Sequence, residues 1–206
     1  GRRRPPSAGL TRPASADAVT PAGRRRPPYT RAVAAAEIPE GTVTVLFTDL
    51  VDSTRLNQAL GDDAARELTR RVEAAAHRQI EAHRGVPIKD IGDGTMAAFA
   101  SARRAVAAAR EIQADVRRLD RDLPAGERPD GGVALRIGLH TGEVIAEDGD
   151  LHGETVMIAK RIEGLAPPGG ILASQTVHGV LGTARDELVE QGAAELKGIE
   201  AEWTLY

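Results

Sequence analysis

Residues 42–48 read Thr-Val-Thr-Val-Leu-Phe-Thr and run directly into Asp49. No other segment restricts the fold of this chain as much. Its β-branched and aromatic side chains predict a central strand covered on both faces. A carboxylate at the mouth of such a strand is costly without a cationic partner or a metal. A second aspartate, Asp52, follows three positions later.

The elements after it follow from periodicity. Ala65, Leu68, Val72, Ala76 and Ile80 recur at steps of three and four, predicting a helix from about Asp62 to His83 that Gly85 ends. Residues 86–100 read as two short strands joined at Ile91-Gly92-Asp93-Gly94, where glycine supplies hairpin angles. Ser101 is a candidate cap for a second helix to about Leu119, with Val106, Ala109, Ile112 and Val116 inward. Residues 120–132 read as a polar loop, and 133–147 as a strand pair turning at Thr141-Gly142. Residues 153–166 form a helical pattern stopped by Gly164 and Pro167-Pro168. Residues 170–174 are a short buried strand, with Ser174 capping the next helix. Two strand candidates, 187–192 and 195–206, close the chain. The order β-α-β-β-α-β plus a C-terminal extension predicts an α+β, ferredoxin-like split βαβ sandwich, with a mostly antiparallel mixed sheet and helices on one face.

Aromatic residues make up only 2% of the 206-residue chain against 41% hydrophobic, so the core is aliphatic. There is no cysteine, which excludes disulfides and thiolate chemistry and fits a reducing, cytoplasmic compartment. No apolar run reaches the roughly 20 residues of a membrane span. The first residue is Gly, leaving room for an upstream segment that tethers the domain to the cytoplasmic face of a membrane. Residues 1–40 carry eight Arg against Asp17, Glu37 and Glu40, a net +5, while the remainder has 19 basic and 27 acidic residues, a net −8. The tail repeats Gly-Arg-Arg-Arg-Pro-Pro and holds seven of the twelve prolines, so it is expected to be disordered. It reads as a solvated linker rather than an arm for anionic lipid or nucleic acid. Only Tyr29 interleaves with its arginines, which gives base stacking little support.

Gly92-Asp93-Gly94 places a second carboxylate at a hairpin tip. In a split βαβ sheet the first strand lies beside that hairpin, so Asp49 and Asp93 can face one point. With no obvious cation beside them, two hard oxygen donors invite Mg²⁺ or Mn²⁺. Leu50-Val51-Asp52-Ser53-Thr54 then leads into a helix, whose first N–H groups can hold phosphate oxygens. Taken singly, Asp52 or Ser53 reads equally as a helix cap and Gly-Asp-Gly as an ordinary turn. The two aspartates in this chain order are what point to a metal.

Five blocks, TVTVLFTDLVDSTRL, KDIGDGTMAAF, LRIGLHTGEV, DLHGETVMIAKRIEG and ELKGIEAEWTLY, together resemble the catalytic domain of class III nucleotidyl cyclases. The resemblance runs from Gly41 to Tyr206. It implies a homodimer with two shared active sites that converts a nucleoside triphosphate into its 3′,5′-cyclic monophosphate and pyrophosphate. Asp49 and Asp93 resemble the family's two metal aspartates, with the Leu50 carbonyl assisting one of two Mg²⁺ or Mn²⁺ ions. Arg161 resembles the arginine delivered from the other subunit to the transferring phosphorus, and Lys197 the lysine that holds the terminal phosphates. Lys89 and Asp150 stand where the family reads the base. A lysine donor and an aspartate acceptor fit the adenine edge, so ATP is expected over GTP. Asp148 is the rival for Asp150, at the wrong spacing from Gly153.

Two positions depart from the family. Met157 replaces the usual asparagine that orients the ribose, and methionine is at best a weak acceptor; its bland reading is a core-facing helix residue. Asp52 stands where relatives often have glycine. The alternatives to an adenylyl cyclase are therefore a low-activity cyclase-homology domain that binds nucleotide or a partner, and a guanylyl cyclase. His140 and His152 read as structural or rim residues. Trp203 reads as packing on the last strand.

Overall fold

In the computed structural model, residues 1, 39, 41–124, 128–129 and 131–206 are described. The tail reading over residues 1–40 lies outside them, apart from Gly1 and Pro39. β1 (Gly41–Leu50) has residues 43–48 all buried, because both of its faces are covered. Leu46 and Leu50 turn to one side, where they meet Leu68, Val72, Ala76 and Ile80 of α2 (Asp62–Ala82) and Ala109, Ile112 and Val116 of α3 (Ala102–Asp122). Val43, Val45 and Phe47 turn to the other, against Ala159 of α4 (Glu154–Leu165) and Leu151. Asp49 shares the parity of Phe47 and so belongs to the α4 side.

α1 (Ser53–Leu60) links β1 to α2. β2 (Val86–Ile91) and β3 (Gly94–Phe99) form a hairpin whose two-residue loop is Gly92-Asp93, with Gly92 at φ 66°. β4 (Leu135–Glu147) pairs with β1 along its length and hydrogen-bonds to β5 (Asp150–His152). The sheet order is β2-β3-β1-β4-β5, with β6 (Ile171–Ala173) parallel to β4. The first four strands are antiparallel neighbours in the expected split βαβ arrangement. Ser174 caps α5 (Gln175–Val180), its Oγ accepting from Val177 N at 3.5 Å. A 3-10 turn, Gly182–Glu187, precedes the separate hairpin of β7 (Gly192–Glu195) and β8 (Glu202–Leu205). Among the described residues no helix is long and apolar enough to cross a membrane.

Several expectations need correction. Helices cover both faces of the sheet, since α4 packs opposite α2 and α3. Residues 133–147 do not turn at Thr141-Gly142: both pair with β1, opposite Thr44 and Val43, and the buried Thr44 and Thr141 hydroxyls bond at 2.8 Å. That internal hydroxyl pair removes the need for a turn at two polar-looking positions. Gly142 is there for space, since a methyl group would strike Thr155 Oγ1 at 2.6 Å, and a methyl on Gly138 would likewise collide with the backbone of Glu163. α4 therefore lies flush on β4. The same helix passes Gly164 and ends at Leu165. α2 ends at Ala82, with Arg84 rather than Gly85 in the left-handed region at φ 59°. Ser101 occupies the cap position of α3 without a side-chain bond, and that helix runs on to Asp122. Residues 187–192 are not a strand; β7 starts only at Gly192.

Candidate active site

Asp49 is the last but one residue of β1, and its side chain is 30% exposed rather than buried. Cations do stand beside it, contrary to the sequence expectation. Arg136 is its register partner on β4, and Arg136 Nη1 lies 3.9 Å from Oδ2. Lys160, on α4, brings Nζ to 3.6 Å from Oδ1 and 5.7 Å above the Phe47 ring. Both cations neutralise charge, yet neither is within hydrogen-bonding distance, so the carboxylate keeps its lone pairs. Lys160 Nζ also holds Glu163 Oε2 at 2.6 Å. Burial pushes the Glu163 carboxyl above its ordinary range, and Lys160 opposes that rise.

Arg136 was missed in the sequence reading. It is the one arginine of its block, but its pairing opposite Asp49 depends on a strand register that periodicity does not reveal. Lys160 was missed for a similar reason: its position beside Asp49 requires α4 to cover that face.

Asp49, Arg136, Lys160, Arg161, Glu163 and Lys197 line one cleft of about 420 Å³. It gathers three of the sequence candidates, Asp49, Arg161 and Lys197, within a single chain. The side chains of Arg161 and Lys197 are exposed and, among the described residues, form no hydrogen bond or ion pair. Their charges are available to an anion.

Asp93 is partly exposed in the β2–β3 loop. Its neighbour Gly94 packs so tightly on β1 that a methyl group there would collide with the Thr48 carbonyl and come within 3.3 Å of the Asp49 Cα. Asp93 therefore sits in the loop one residue from a backbone contact with the end of β1 at Thr48 and Asp49. Among the described residues Asp93 accepts no hydrogen bond and joins no ion pair. Its charge contributes, after burial and Asp90, to holding the Glu73 carboxyl above its usual range. No group of three or more His, Cys, Asp or Glu among the described residues has metal-holding geometry. Two carboxylates with open lone pairs are nonetheless the donor set Mg²⁺ uses when substrate phosphates complete its shell. The donor chemistry of these two residues is the kind that suits such an ion.

Lys89 and Asp150 stand apart from that cleft and touch each other. Lys89 Nζ donates to Asp150 Oδ2 across 61 positions of sequence. The lysine hydrogen bond holds the Asp150 carboxyl below its usual range. Asp148, the rival, occupies a turn with φ 51°.

Leu50 is buried, and Val51 N bonds Ala134 O at 2.9 Å. Asp52 precedes α1 in the left-handed conformation, φ 53°, ψ 37°, which explains why glycine suits this position. It caps nothing; its carboxylate lies 3.8 Å from Arg55. Ser53 and Thr54 form the first turn of α1. Met157 is 57% exposed, so the core-facing reading of this residue is wrong. His140 is buried as expected, its Nδ1 2.8 Å from Ser174 Oγ and its ring 5.1 Å from Trp203 in an edge arrangement. Trp203 packs beside Ile162 and Leu196, joining the terminal hairpin to α4.

Residues 36–206 match the family model described as the adenylate and guanylate cyclase catalytic domain. A Rhizobium meliloti (strain 1021) protein named "Putative adenylate cyclase 3" is 34% identical over 157 residues, 76% of this chain and 26% of its own length. A Mycobacterium tuberculosis (strain H37Rv) protein is 33% identical over 174 residues, 81% of this chain and 56% of that protein. The chain thus spans between a quarter and a little over half of these relatives. Among solved structures, an adenylate/guanylate cyclase/hydrolase from Silicibacter pomeroyi superposes with a TM-score of 0.64 at 28% identity, covering 80% of this chain and 94% of that one. A Trypanosoma brucei adenylate cyclase in its monomeric state gives a TM-score of 0.69 at 24% identity, covering 81% and 88% respectively, which speaks for the fold. Fold, motif order and family match agree: residues 36–206 belong to the adenylate and guanylate cyclase catalytic-domain family.

Proposed function

We propose that this domain is an adenylyl cyclase that converts ATP into 3′,5′-cyclic AMP and pyrophosphate at sites shared by two copies of the chain. The observation that carries the reading is Asp49, with open lone pairs, against whose backbone the Asp93 hairpin packs, while the Arg161 and Lys197 side chains are exposed and unpartnered among the described residues. Asp49 and Asp93, assisted by the Leu50 carbonyl, would hold two Mg²⁺ or Mn²⁺ ions. Bound there, divalent ions supply acidification of the 3′-hydroxyl and neutralisation of the leaving pyrophosphate. The 3′-oxygen bonds to the α-phosphorus as the bond to the bridging oxygen breaks, and the hydroxyl proton passes to solvent. Arg161, from the partner copy, donates to the charge that grows on the phosphorus centre. Lys197 holds the terminal phosphates, and the start of α1, from Val51 through Asp52, Ser53 and Thr54, lies against the triphosphate.

Base choice rests on Lys89 and Asp150. Adenine presents an acceptor at N1 and donors at its amino group. An ammonium donor beside a carboxylate acceptor matches that edge and mismatches guanine, whose O6 accepts and N1 donates. Their mutual contact supports a pre-formed donor–acceptor pair that opens onto a base.

A slow or nucleotide-binding domain is the second reading, favoured by exposed Met157 in place of a ribose hydrogen-bonding group and by the acidic Asp52 near the phosphates. Assaying cyclic AMP and cyclic GMP with ATP and GTP, each with Mg²⁺ and Mn²⁺, tests both. Cyclic AMP from ATP, lost in Asp49→Ala and Asp93→Ala, supports the first. ATP binding without product supports the second, and preferential cyclic GMP refutes the assignment of Lys89 and Asp150.

A further inference from the structure

The β1–β3 backbone ladder stops at Phe47↔Met96, short of both aspartates. Side chains continue the connection. Thr95 N donates to Thr48 Oγ1 at 2.9 Å, linking β3 to β1 immediately before Asp49. Thr95 Oγ1 donates to Asp90 Oδ1 at 2.8 Å, crossing to β2. The same Asp90 oxygen lies 2.8 Å from His77 Nε2 on α2. Thr48 and Thr95 are buried, so the bond between them lies where water competes least, while the His77–Asp90 contact lies nearer the surface. The chain His77–Asp90–Thr95–Thr48 therefore ties four elements together around a loop whose only free member is Gly92-Asp93. Asp90 lies three residues before Asp93 and Thr95 two after it, so both ends of the loop are gripped. Without these bonds each of the two buried threonines would leave a polar group without a partner beside the strand ends.

We propose that His77, acting through Asp90, is a positioning residue that fixes Asp93 relative to Asp49 and so sets the affinity of the site for divalent metal. This rests on the reading of Asp49 and Asp93 as metal ligands. His77 itself touches neither carboxylate in that role: it holds the hairpin from the α2 side while Thr95 holds it from the β1 side. The hydrogen bond to Asp90 also raises the His77 imidazole above its ordinary range, and the same bond lowers the Asp90 carboxyl, as expected of a charge-assisted contact.

The test is direct Mn²⁺ binding to the whole chain, measured from the loss of the free-ion electron paramagnetic resonance signal, with Mn²⁺ alone as probe and thermal melting recorded in parallel. His77→Ala and Asp90→Ala should weaken Mn²⁺ binding about fivefold or more. Asp90→Asn, which keeps an oxygen acceptor for Thr95 and His77, should recover most of it. Thr95→Val, close in volume but without the hydroxyl, should weaken binding as Asp90→Ala does, and serves if that variant does not fold. In the cyclase assay the Mn²⁺ concentration for half-maximal rate should rise by a similar factor, with a smaller change at saturating metal. Folded His77→Ala and Thr95→Val proteins that bind Mn²⁺ as the unaltered chain does would overturn the proposal, even if their melting temperatures fall. Asp93→Ala decides the underlying assignment separately. If it leaves Mn²⁺ binding intact, the metal reading fails whatever His77 does; if it abolishes binding while His77→Ala does not weaken it, only the positioning role fails.

Discussion

Lys160 Nζ stands 3.6 Å from Asp49 Oδ1 and 2.6 Å from Glu163 Oε2, an ammonium shared between a partly exposed carboxylate and a buried one. It occupies the flank of Asp49 from which a divalent cation would also draw charge. Replacing it should release Asp49 for metal. Lys160→Ala is expected to lower the half-saturating Mn²⁺ concentration about two- to fivefold, the equivalent of the roughly 0.5–1 kcal/mol typical of a part-exposed ion pair. Mn²⁺ titration of the variant checks this, with the cost to Glu163 appearing separately as a lower melting temperature.

Base selectivity should fail through Lys89. Lys89→Ala is expected to reduce kcat/KM for ATP about tenfold or more, in the range of about 1.5–3 kcal/mol for a hydrogen bond from a charged donor. Guanine donates at N1 where adenine accepts, so GTP should lose less and the ATP-to-GTP ratio should contract. Side-by-side kinetics with both triphosphates measure it.

Met157 is exposed, and on the proposed function it stands where a ribose would need a hydrogen-bonding group. Met157→Asn should raise kcat by about tenfold or more, since a single preorganised donor is worth roughly 10- to 1,000-fold. Because the side chain is 57% exposed, the melting temperature should barely move. An unchanged rate would remove the reason to expect slow turnover.

Asp49 and Arg161 line one cleft of a single chain, so the sharing of sites between two copies has a direct test. Asp93→Ala and Arg161→Ala chains, each inactive alone, should regain activity when mixed. Random pairing with one whole site per mixed dimer sets the ceiling at about a quarter of the unaltered rate. Rescue would place Arg161 in the partner's site. No rescue, with mixed dimers demonstrated, would place both residues in the same chain's site.

Burial lowers the His140 imidazole to about 4 from an ordinary 6.5, so the folded chain refuses a proton that the unfolded chain accepts. Stability is therefore complete above the unfolded value and falls as the solution is acidified from 6.5 toward 4, by as much as about 3 kcal/mol from this group alone. Urea midpoints between pH 7 and pH 4.5 should drop accordingly. His140→Asn, less stable at pH 7, should show a flatter acid limb.

How far the sequence could be read depended on whether the signal was local. The stripe Leu68, Val72, Ala76 and Ile80 announced α2, and Gly92-Asp93 announced the hairpin, because both are short-range patterns. The sheet order followed from the sequence of elements. Arg136 and Lys160 stayed hidden, since one needs the β1–β4 register and the other needs the face on which α4 lands. Asp49 was read as buried from its neighbours, although its own side chain emerges at the strand end. The polar run at Thr141-Gly142 looked like a turn only because its partner, the Thr44 hydroxyl, lies 97 positions away. Met157 looked like core because helical spacing alone does not say which stripe meets the sheet.

The flush seating of α4 on β4 has a mechanical consequence. Two missing methyl groups, at Gly138 and Gly142, fix the altitude of the helix, and with it the height at which Lys160 and Arg161 hang over the end of β1. A side chain at either glycine would act as a shim, raising the whole cationic overhang away from Asp49 without altering a single charged residue.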